Sequence, residues 1–387
     1  MSSKLAIISV ATAVLAYFSA PMAQRILFML PASDVSKDAS NPIKVGLVGA
    51  ADIAKFAVLW PASRESSIVV EAVAARSVDK AKAYAAKHGI PKVHSNYQEL
   101  IMDSEIDVIY IGVITELHFE ITQFALQQGK HVLLEKPAVF LEHEAKTLVA
   151  LAREQHSILF EAFHWRYHPA AIRVQELVKQ RVVGNLEFIA LKASLYDPKA
   201  SSAAEEGADK QFVKLFDRWC YLVDEMHFYL PKDKWSIEVK YVEMKPSSMH
   251  ANLTATPLVD LEKGEGGDAM RKRVKISMDA YKDKLEIPDW SVSFQGSKGT
   301  LRYDNALFPF VYHRITKPDG EVEKRYASGD RDDDDSVVGK TTFAHQLDVF
   351  TSLVKEQDEW KKAKTNKALW SSMIRNAKMA ERMKVTV

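Results

Sequence analysis

The chain has 387 residues, of which 47% are hydrophobic and 27% are charged. These are ordinary globular values, and the length is enough for two hydrophobic cores. A net charge of +1 gives no electrostatic case for nucleic acid as a partner, and a single cysteine, Cys220, excludes an intramolecular disulfide and a cysteine-rich metal site.

The first segment of the chain is apolar. Residues 5–20 are nearly all apolar and follow Lys4, and a second patch at 26–30 precedes a polar linker at 33–41. About 16 apolar residues are few for a membrane span but typical of a signal peptide or a short signal anchor. We therefore expect residues 1–40 to be a signal or anchor segment with its linker, giving membrane attachment or the secretory route. The alternative is a cytoplasmic protein in which this segment covers a hydrophobic surface of the domain.

The next residues have the order strand, tight turn, helix. Ile43 to Val48 reads as a short buried strand, and a helical stretch runs from Phe56 to Trp60. In a Rossmann unit, small residues in the turn between them let the backbone approach a pyrophosphate at the helix N-terminus. Only Gly49 is a glycine here, with Ala51 and Ala54 in the other two places, so the match is degenerate. The predicted cofactor-binding residues of this turn are Gly49, Ala50, Ala51, Asp52 and Ile53.

The second predicted strand, 68–75, ends in Arg76 and not in an acidic residue. An aspartate or glutamate at this point would bond a free ribose 2′-hydroxyl, whereas an arginine suits a 2′-phosphate. We therefore expect NADP as the cofactor, with NAD as the less favoured choice. The alternative is that Arg76 only opens the following helix, 78–88.

Further strands are predicted at 106–113 and 131–134, with a helix from about Leu117 to Gln128 between them. Strands that alternate with helices indicate a parallel sheet, in which ligands bind beyond the carboxyl ends of the strands. Lys136 lies at such an end, because Pro137 cannot continue a central strand. A lysine at the end of a buried strand is costly unless it has a function. The alternative is that Glu135 and Lys136 cap a solvated strand end.

Five segments carry a resemblance to a known family. They are the loose glycine turn, Ala74-Ala75-Arg76, Leu117-His118, Glu135-Lys136-Pro137 and the stretch from Phe160 to Pro169. In this order they resemble the glucose-fructose oxidoreductase/inositol dehydrogenase (Gfo/Idh/MocA) family, most of all its branch of dimeric dihydrodiol dehydrogenases and NADP-dependent D-xylose dehydrogenases. The resemblance is strong from about residue 43 to 169 and thinner afterwards.

The resemblance implies roles for individual residues. Lys136 would contact both the nicotinamide ribose and the substrate. The stretch after Phe160 would line the nicotinamide side, with His164 facing the substrate. The other implied cofactor contacts are Val113, His118, Glu135, Trp165 and Arg166. His164 and His168 have a helical spacing that could bind zinc, but no third ligand is near them in sequence, so we predict no metal site.

The family's second catalytic motif is an aspartate followed four residues later by a histidine or a tyrosine. Asp217 and Tyr221 have this spacing, which places both side chains on one face of a helix. By resemblance, Tyr221 would take the proton of the hydroxyl being oxidised while the hydride leaves for the nicotinamide, and Asp217 would orient the pair. We expect the ammonium of Lys136 to lower the pKa of the phenol from its ordinary value near 10.

The sequence around Asp217 departs from the family pattern. Bulky residues, 213–216, stand where a glycine pair normally begins the motif, and Trp219 replaces another glycine. We expect these replacements to narrow or reshape the pocket. The alternative is that residues 212–230 form only an aromatic packing helix, with Trp219, Tyr221 and Phe228 in the core.

The pattern after Pro169 is different. A helix runs to about Lys179, and strands follow without helices between most of them, which indicates a mostly antiparallel sheet. The predicted strands are 186–196, 236–244, 271–278, 290–294, 300–303 and 310–315, with a hairpin turn at 296–299 and closing helices at 343–355 and 367–383. In the relatives the open face of the sheet forms the subunit interface, so the resemblance implies a homodimer.

These predictions combine into an α/β fold in which an N-terminal Rossmann domain, 41–167, precedes an α+β substrate and dimerisation domain, 168–387, with a large open sheet. The implied function is that of an NADP-dependent oxidoreductase acting on a hydroxyl of a cyclic sugar or diol, such as D-xylose or a trans-dihydrodiol. The alternative is a catalytically inactive NAD(P)-binding sensor or regulatory protein of the same fold, because the glycines around Asp217 are missing.

Overall fold

The computed structural model describes residues 41–194, 208–230, 235–245, 248–257, 273–281, 290–310, 312–326, 340–356 and 359–386. The predicted signal or anchor segment, 1–40, lies outside them. Within these ranges no helix combines the length and the apolar composition needed to cross a membrane.

The first sheet has six parallel strands in the order β3-β2-β1-β4-β5-β6. The strands are β1 (Ile43–Val48), β2 (Ile68–Ala74), β3 (Lys92–Val93), β4 (Val108–Ile111), β5 (His131–Leu134) and β6 (Leu159–Glu161). The strand order reverses at β1, beside β4. In open parallel sheets such a switch point is where ligands bind.

Helices connect these strands. They are α1 (Trp60–Ser63), which continues a π-helical turn at Lys55–Leu59, α2 (Val78–His88), α3 (Tyr97–Met102), α4 (His118–Gln127) and α5 (Glu142–Glu154). The caps explain the bounds of α2: the Ser77 side chain accepts a hydrogen bond from Lys80 N, and Gly89 ends the helix with a left-handed φ of 68°.

The turn after β1 requires its glycine. Gly49 has a φ of +103°, and a Cβ at this position would meet the carbonyl oxygen of Gly112 at 2.6 Å. A larger residue would therefore be strained and would clash with the end of β4. Ala54, the third small residue of the turn, is fully buried, as the degenerate glycine pattern predicts.

The second sheet has eight strands in the order β14-β13-β12-β11-β7-β10-β9-β8. They are β7 (Leu186–Ser194), β8 (Trp235–Lys245), β9 (Ser248–Pro257), β10 (Val274–Tyr281), β11 (Trp290–Gly296), β12 (Gly299–Asp304), β13 (Arg314–Thr316) and β14 (Val322–Glu323). All pairs are antiparallel except β7 with β10. The sheet is thus mostly antiparallel, as predicted.

One face of this sheet is apolar and packs against helices. Its inner residues, such as Leu191, Ile276 and Phe294, share one core with Trp219 and Met226. The helices of this half are α6 (Pro169–Lys179), α7 (Ala208–Tyr229), α8 (Thr342–Lys355) and α9 (Glu359–Thr386). The closing helix α9 contacts both α7 and α5, so it links the layers of the two sheets.

The predicted fold class is confirmed, while some element bounds are wrong. Of the strand expected at 310–315, position 311 lies outside the described ranges, and only the last residues are strand, in β13; the chain turns at 309 and 310, and the His313 imidazole hydrogen-bonds to the Pro309 carbonyl oxygen at 2.7 Å. The strand expected at 106–113 covers only 108–111, and β9 was not predicted at all. Positions 195, 196, 271 and 272 of two predicted strands are outside the described ranges. The domain boundary at 167/168 stays a prediction.

Candidate active site

Lys136 extends from the carboxyl end of β5 to α7. Its Nζ donates hydrogen bonds to the Asp217 carboxylate at 2.8 Å and to the Asp217 backbone oxygen at 2.9 Å. The Lys136 side chain is only 13% exposed, and Glu135 is buried. The alternative of a solvated strand end is therefore wrong. The strand-end lysine of the first sheet instead meets a helix of the second half.

Tyr221 lies beside this lysine. The Lys136 Nζ is 4.8 Å from the centre of the Tyr221 ring, and Phe163 and Trp290 pack edge to face on the same ring with centroids 5.5 and 5.4 Å away. The predicted helix therefore brings Asp217, Tyr221 and Lys136 to one place, as the spacing of four residues required.

The protonation of the phenol differs from the expectation. Burial raises the pKa of Tyr221 well above 10, and the opposing effect of the Lys136 ammonium is smaller. The Lys136 ammonium does act to lower the pKa of Tyr221, as predicted, but the expected net lowering is wrong, because loss of hydration outweighs the nearby positive charge. For Lys136 burial acts to lower the pKa, but the acidic groups around it, including the Asp217 and Glu135 carboxylates, raise it overall. The site thus holds an ammonium and a neutral phenol at neutral pH.

His164 is buried behind Tyr221. It is 2% exposed, its Nε2 lies 3.2 Å from the Tyr221 hydroxyl, and its Nδ1 lies 2.8 Å from the Thr342 hydroxyl of α8. Burial, helped by Lys136, lowers the pKa of His164 to about 3, so the imidazole is neutral. His164 thus lies between the Tyr221 hydroxyl and the Thr342 hydroxyl. The implied role of His164 in substrate contact stays a prediction.

Two of the bulky residues around Asp217, Phe216 and Trp219, are buried in the core of the second half. Trp219 is two residues from both Asp217 and Tyr221, so it points to the opposite side of the helix, where it is fully buried in the core. Phe216 is also buried and packs against Phe140, with ring centroids 5.9 Å apart. Both predictions for this helix therefore hold in part. One side of α7 packs in the core, and another side carries the candidate site.

Trp165 and Arg166 use their polar atoms on a buried carboxylate. The Asp224 side chain of α7 accepts hydrogen bonds from the Trp165 indole at 3.1 Å and from Arg166 Nε at 2.5 Å. A second Arg166 nitrogen donates to the other Asp224 oxygen and to Ser372. Among the described residues neither side chain has a hydrogen bond to Lys136 or Tyr221, and their implied cofactor contacts stay a prediction.

His118 and Glu135 brace the loops at the strand ends. The buried His118 ring has one nitrogen 3.0 Å from the Pro137 oxygen and the other 3.1 Å from the Val113 oxygen. Glu135 accepts hydrogen bonds from the Tyr110 hydroxyl at 2.9 Å and from the Lys136 amide at 3.2 Å. These contacts fix the backbone around Lys136, whereas cofactor contacts of Val113, His118 and Glu135 stay predictions.

The glycine turn lies at the same edge of the sheet. Ala50 and Ala51 are half-buried, Asp52 is exposed and pairs with Lys55 at 2.7 Å, and Arg76 is exposed after β2. The pair with Lys55 lowers the pKa of Asp52. These residues could border a dinucleotide that lies across the ends of β1 and β2.

Two residues at this edge were missed from the sequence. Ile114 is 63% exposed and Leu117 is also exposed, as is the predicted Ile53. Exposed apolar side chains in the loops at the carboxyl ends of parallel strands are typical of a ligand site. The available signal was that both apolar residues lie in the loop that follows the buried strand β4. Across the described ranges, no three or more histidine, cysteine, aspartate or glutamate side chains are arranged to hold a metal ion.

The family model for an oxidoreductase family with an NAD-binding Rossmann fold, GFO_IDH_MocA, matches residues 43–163. Residues 43–163 are therefore similar to the Gfo/Idh/MocA family, which confirms the predicted resemblance for this part of the chain.

Several curated proteins are similar in sequence. A trans-1,2-dihydrobenzene-1,2-diol dehydrogenase of Xenopus tropicalis is 37% identical over 154 residues, which are 40% of this chain and 46% of the relative. A human protein of the same name is 35% identical over 168 residues, 43% and 49% of the two chains. A dTDP-3,4-didehydro-2,6-dideoxy-alpha-D-glucose 3-reductase of Streptomyces violaceoruber is 28% identical over 288 residues, 73% and 80% of the chains. The matches to the first relatives thus span about half of those proteins or less.

Solved structures have the same fold. A 3-ketoreductase from Actinomadura kijaniata in complex with NADP and TDP-benzene has a TM-score of 0.66 at 22% identity, with 89% of this chain and 98% of that chain covered. An oxidoreductase from Thermotoga maritima has a TM-score of 0.67 at 17% identity, with 89% and 97% covered. At these identities the likeness establishes the fold alone.

Proposed function

We propose that this protein is an NADP-dependent oxidoreductase that interconverts a hydroxyl of a cyclic sugar or diol with the corresponding carbonyl. The observation that carries the proposal is the meeting of Lys136 with Asp217 and Tyr221 at the carboxyl edge of the Rossmann sheet. An ammonium and a phenol at this edge can serve a reacting oxygen atom. The names of the sequence relatives, diol dehydrogenases and a sugar 3-reductase, support the substrate class.

The residues at the edge of the sheet fit a dinucleotide. The Gly49 turn would take the pyrophosphate, the exposed Ile53, Ile114 and Leu117 would cover apolar parts of the cofactor, and Arg76 would pair with a 2′-phosphate. NADP in a solved structural neighbour supports the same choice. When bound, the nicotinamide would supply or accept the hydride.

The side chains of the site would handle the proton and the charge on the oxygen. Because the raised pKa keeps Tyr221 protonated, its hydroxyl can donate a proton to a carbonyl oxygen that is being reduced. The Lys136 ammonium would stabilise negative charge on that oxygen, with Asp217 holding the ammonium in place. In the oxidising direction the phenol must first lose its proton. At neutral pH, Tyr221 of the free protein is therefore in the protonated state that reduction of a carbonyl requires.

The test is a cofactor-turnover screen with NADP and NAD in parallel. Substrates would include pentoses such as D-xylose, hexoses, inositols and aromatic trans-dihydrodiols, with the matching ketones or lactones and NADPH for the reverse direction. We expect turnover with one of these classes and its near abolition in Tyr221→Phe. NADP binding without turnover on the whole panel would favour the inactive sensor, and turnover that survives both Lys136→Met and Tyr221→Phe would contradict the site.

Two further parts of the proposal concern assembly. A homodimer would use the open face of the second sheet, where Lys192, Asn252 and Lys275 are exposed while their strand neighbours are buried. Light scattering on the purified protein would test it, with a monomeric mass as the contrary result. Attachment to membranes through residues 5–20 would be tested by fractionation with and without that segment.

A further inference from the structure

We propose that Asn376 on the closing helix α9 is a positioning residue that holds Lys136 and Tyr221 at their working distance. The proposal rests on the proposed function for its effect on turnover. Asn376 is 5% exposed and makes three side-chain hydrogen bonds. Its Nδ2 donates to Asp224 at 2.8 Å and to Glu161 at 3.4 Å, and its Oδ1 lies 2.9 Å from His227 Nδ1.

The first contact leads to Lys136. Glu161 ends β6, and its other carboxylate oxygen accepts the backbone N–H of Ala138 at 2.9 Å. Ala138 is two residues after Lys136, in the same turn. A single carboxylate therefore separates the Asn376 amide from the backbone that aims the lysine.

The second contact leads to Tyr221. Asp224 is three residues after Tyr221 on α7, so the two side chains rise from adjacent positions on the helix surface. Asp224 is completely buried and also accepts hydrogen bonds from Trp165 and Arg166. Trp165, Arg166 and Asn376 thus hold the Asp224 carboxylate in one position. Because Asp224 is part of α7, these hydrogen bonds also restrict rotation of the helix about its axis.

The polar pattern fits an asparagine and no other side chain of its size. Two carboxylates face the Nδ2 group, which has two N–H donors, and an imidazole faces the Oδ1 acceptor. Burial lowers the pKa of His227 to about 3, so this histidine is neutral and donates from Nδ1. An aspartate would bring a third carboxylate to the cluster, and a leucine would leave the groups that face it without this partner.

The decisive comparison is Asn376→Leu against Asn366→Leu. Asn366 is a matched control because it is an asparagine on the same helix and is also 5% exposed, and it has no hydrogen bond to this cluster. Turnover, thermal midpoint and hydrogen exchange at the Ala138 amide would be measured for both. For Asn376→Leu we expect kcat to fall about tenfold with the KM for NADPH within about twofold of wild type, because misplaced reacting groups slow the chemistry more than they weaken binding.

Hydrogen exchange separates this inference from the proposed function. In Asn376→Leu we expect the Ala138 amide to exchange at least about tenfold faster, because Glu161 loses the partner that holds it, and in Asn366→Leu we expect no change. If the wild type turns nothing over, the proposed function fails, and the exchange result still decides the link from Asn376 to the Lys136 turn. A lowered thermal midpoint in both variants, with unchanged kcat and unchanged exchange at Ala138, would overturn the proposal.

Asn376→Asp keeps the proposal testable if the leucine variant does not fold. The new carboxyl would face Glu161, Asp224 and His227, with Arg166 reached through Asp224 and Arg375 acting on His227. Repulsion by two carboxylates raises the pKa of such a group, so it is neutral at low pH and charged at higher pH. We expect the kcat of this variant to fall relative to wild type as the pH rises. A pH profile that runs parallel to that of wild type would overturn the proposal.

Discussion

The two sides of the candidate site are held in different ways. On the strand side, Lys136 lies in a turn whose backbone is fixed by His118 at the Pro137 oxygen and by Glu161 at the Ala138 amide. On the helix side, Tyr221 is held by the aromatic rings of Phe163 and Trp290 and by one hydrogen bond to His164.

This difference predicts how each side responds to mutation. Hydrogen bonds to the backbone hold the turn of Lys136, and they remain when the Lys136 side chain is replaced. Substitutions on the strand side should therefore lower kcat and leave the thermal midpoint nearly unchanged. The position of the Tyr221 ring depends on the side chains packed against it. Substitutions of those neighbours should therefore alter both kcat and the thermal midpoint. In the proposed reaction, the strand side would supply the positive charge of Lys136, and the helix side would supply the proton of the buried Tyr221 hydroxyl.

The largest expected effect is on the strand side. We expect Lys136→Met to lower kcat about 10³-fold, because the stabilisation of charge on the reacting oxygen is lost. The thermal midpoint should change little, since the turn is held by His118 and Glu161. Lys146→Met, at an exposed lysine of α5, is the control. Activity above a tenth of wild type in Lys136→Met would contradict the assignment.

On the helix side, Tyr221→Phe should lower kcat about 10²-fold, because the ring packing remains and only the proton donor is removed. Steady-state rates with the best substrate of the screen would measure it. A wild-type rate in this variant would mean that another group, or water, moves the proton.

The pH dependence of kcat/KM tests whether burial raises the pKa of Tyr221. Because the pKa of Tyr221 is raised, the ionised fraction of the phenol grows about tenfold per pH unit throughout the range below that pKa. We expect kcat/KM for oxidation to rise with this slope from pH 6 to 9, and kcat/KM for reduction to stay level. A plateau of the oxidation rate near pH 7 would show a lowered pKa, as the sequence suggested.

A smaller effect is expected at His164. His164→Asn should lower kcat about tenfold and leave the KM for the substrate unchanged, because the imidazole orients the phenol from its buried side. A raised KM with an unchanged kcat would instead support the substrate contact that the family resemblance implied.

The smallest effect is expected at Trp219. Trp219→Phe should lower the free energy of unfolding by about 1–2 kcal/mol through the lost packing volume, and should change kcat less than about twofold. Denaturant unfolding and steady-state rates would be compared in the same buffer. A large loss of kcat in a folded variant would mean that the replaced glycine of the motif does matter for the pocket.

Local patterns predicted the strand side well. Apolar runs and their caps identify β1, β5 and α2, and Pro137 marks the strand end at Lys136. The helical spacing of Asp217 and Tyr221 was also visible. These features depend only on residues a few positions apart, where periodicity and turn chemistry act.

The remaining features depend on contacts between distant parts of the chain. The raised pKa of Tyr221 comes from burial against Trp290, and the Asp224 cluster joins Arg166 to Asn376. Contacts between residues so far apart in sequence cannot be predicted from a local pattern. Strand β9 is an exception, because its sequence does alternate polar residues with apolar ones and its buried positions follow that period of two, so a local signal was present and was missed.

The position of β7 has a consequence for synthesis on the ribosome. This strand is central in the second sheet, but its two neighbours, β10 and β11, begin only at Val274 and Trp290. At roughly 5–20 residues per second, the apolar face of β7 has no strand partner for on the order of ten seconds after it is made. The apolar face of β7 is therefore available to a chaperone that binds nascent apolar segments during this time, whereas the β1 and β2 strands pair early and locally.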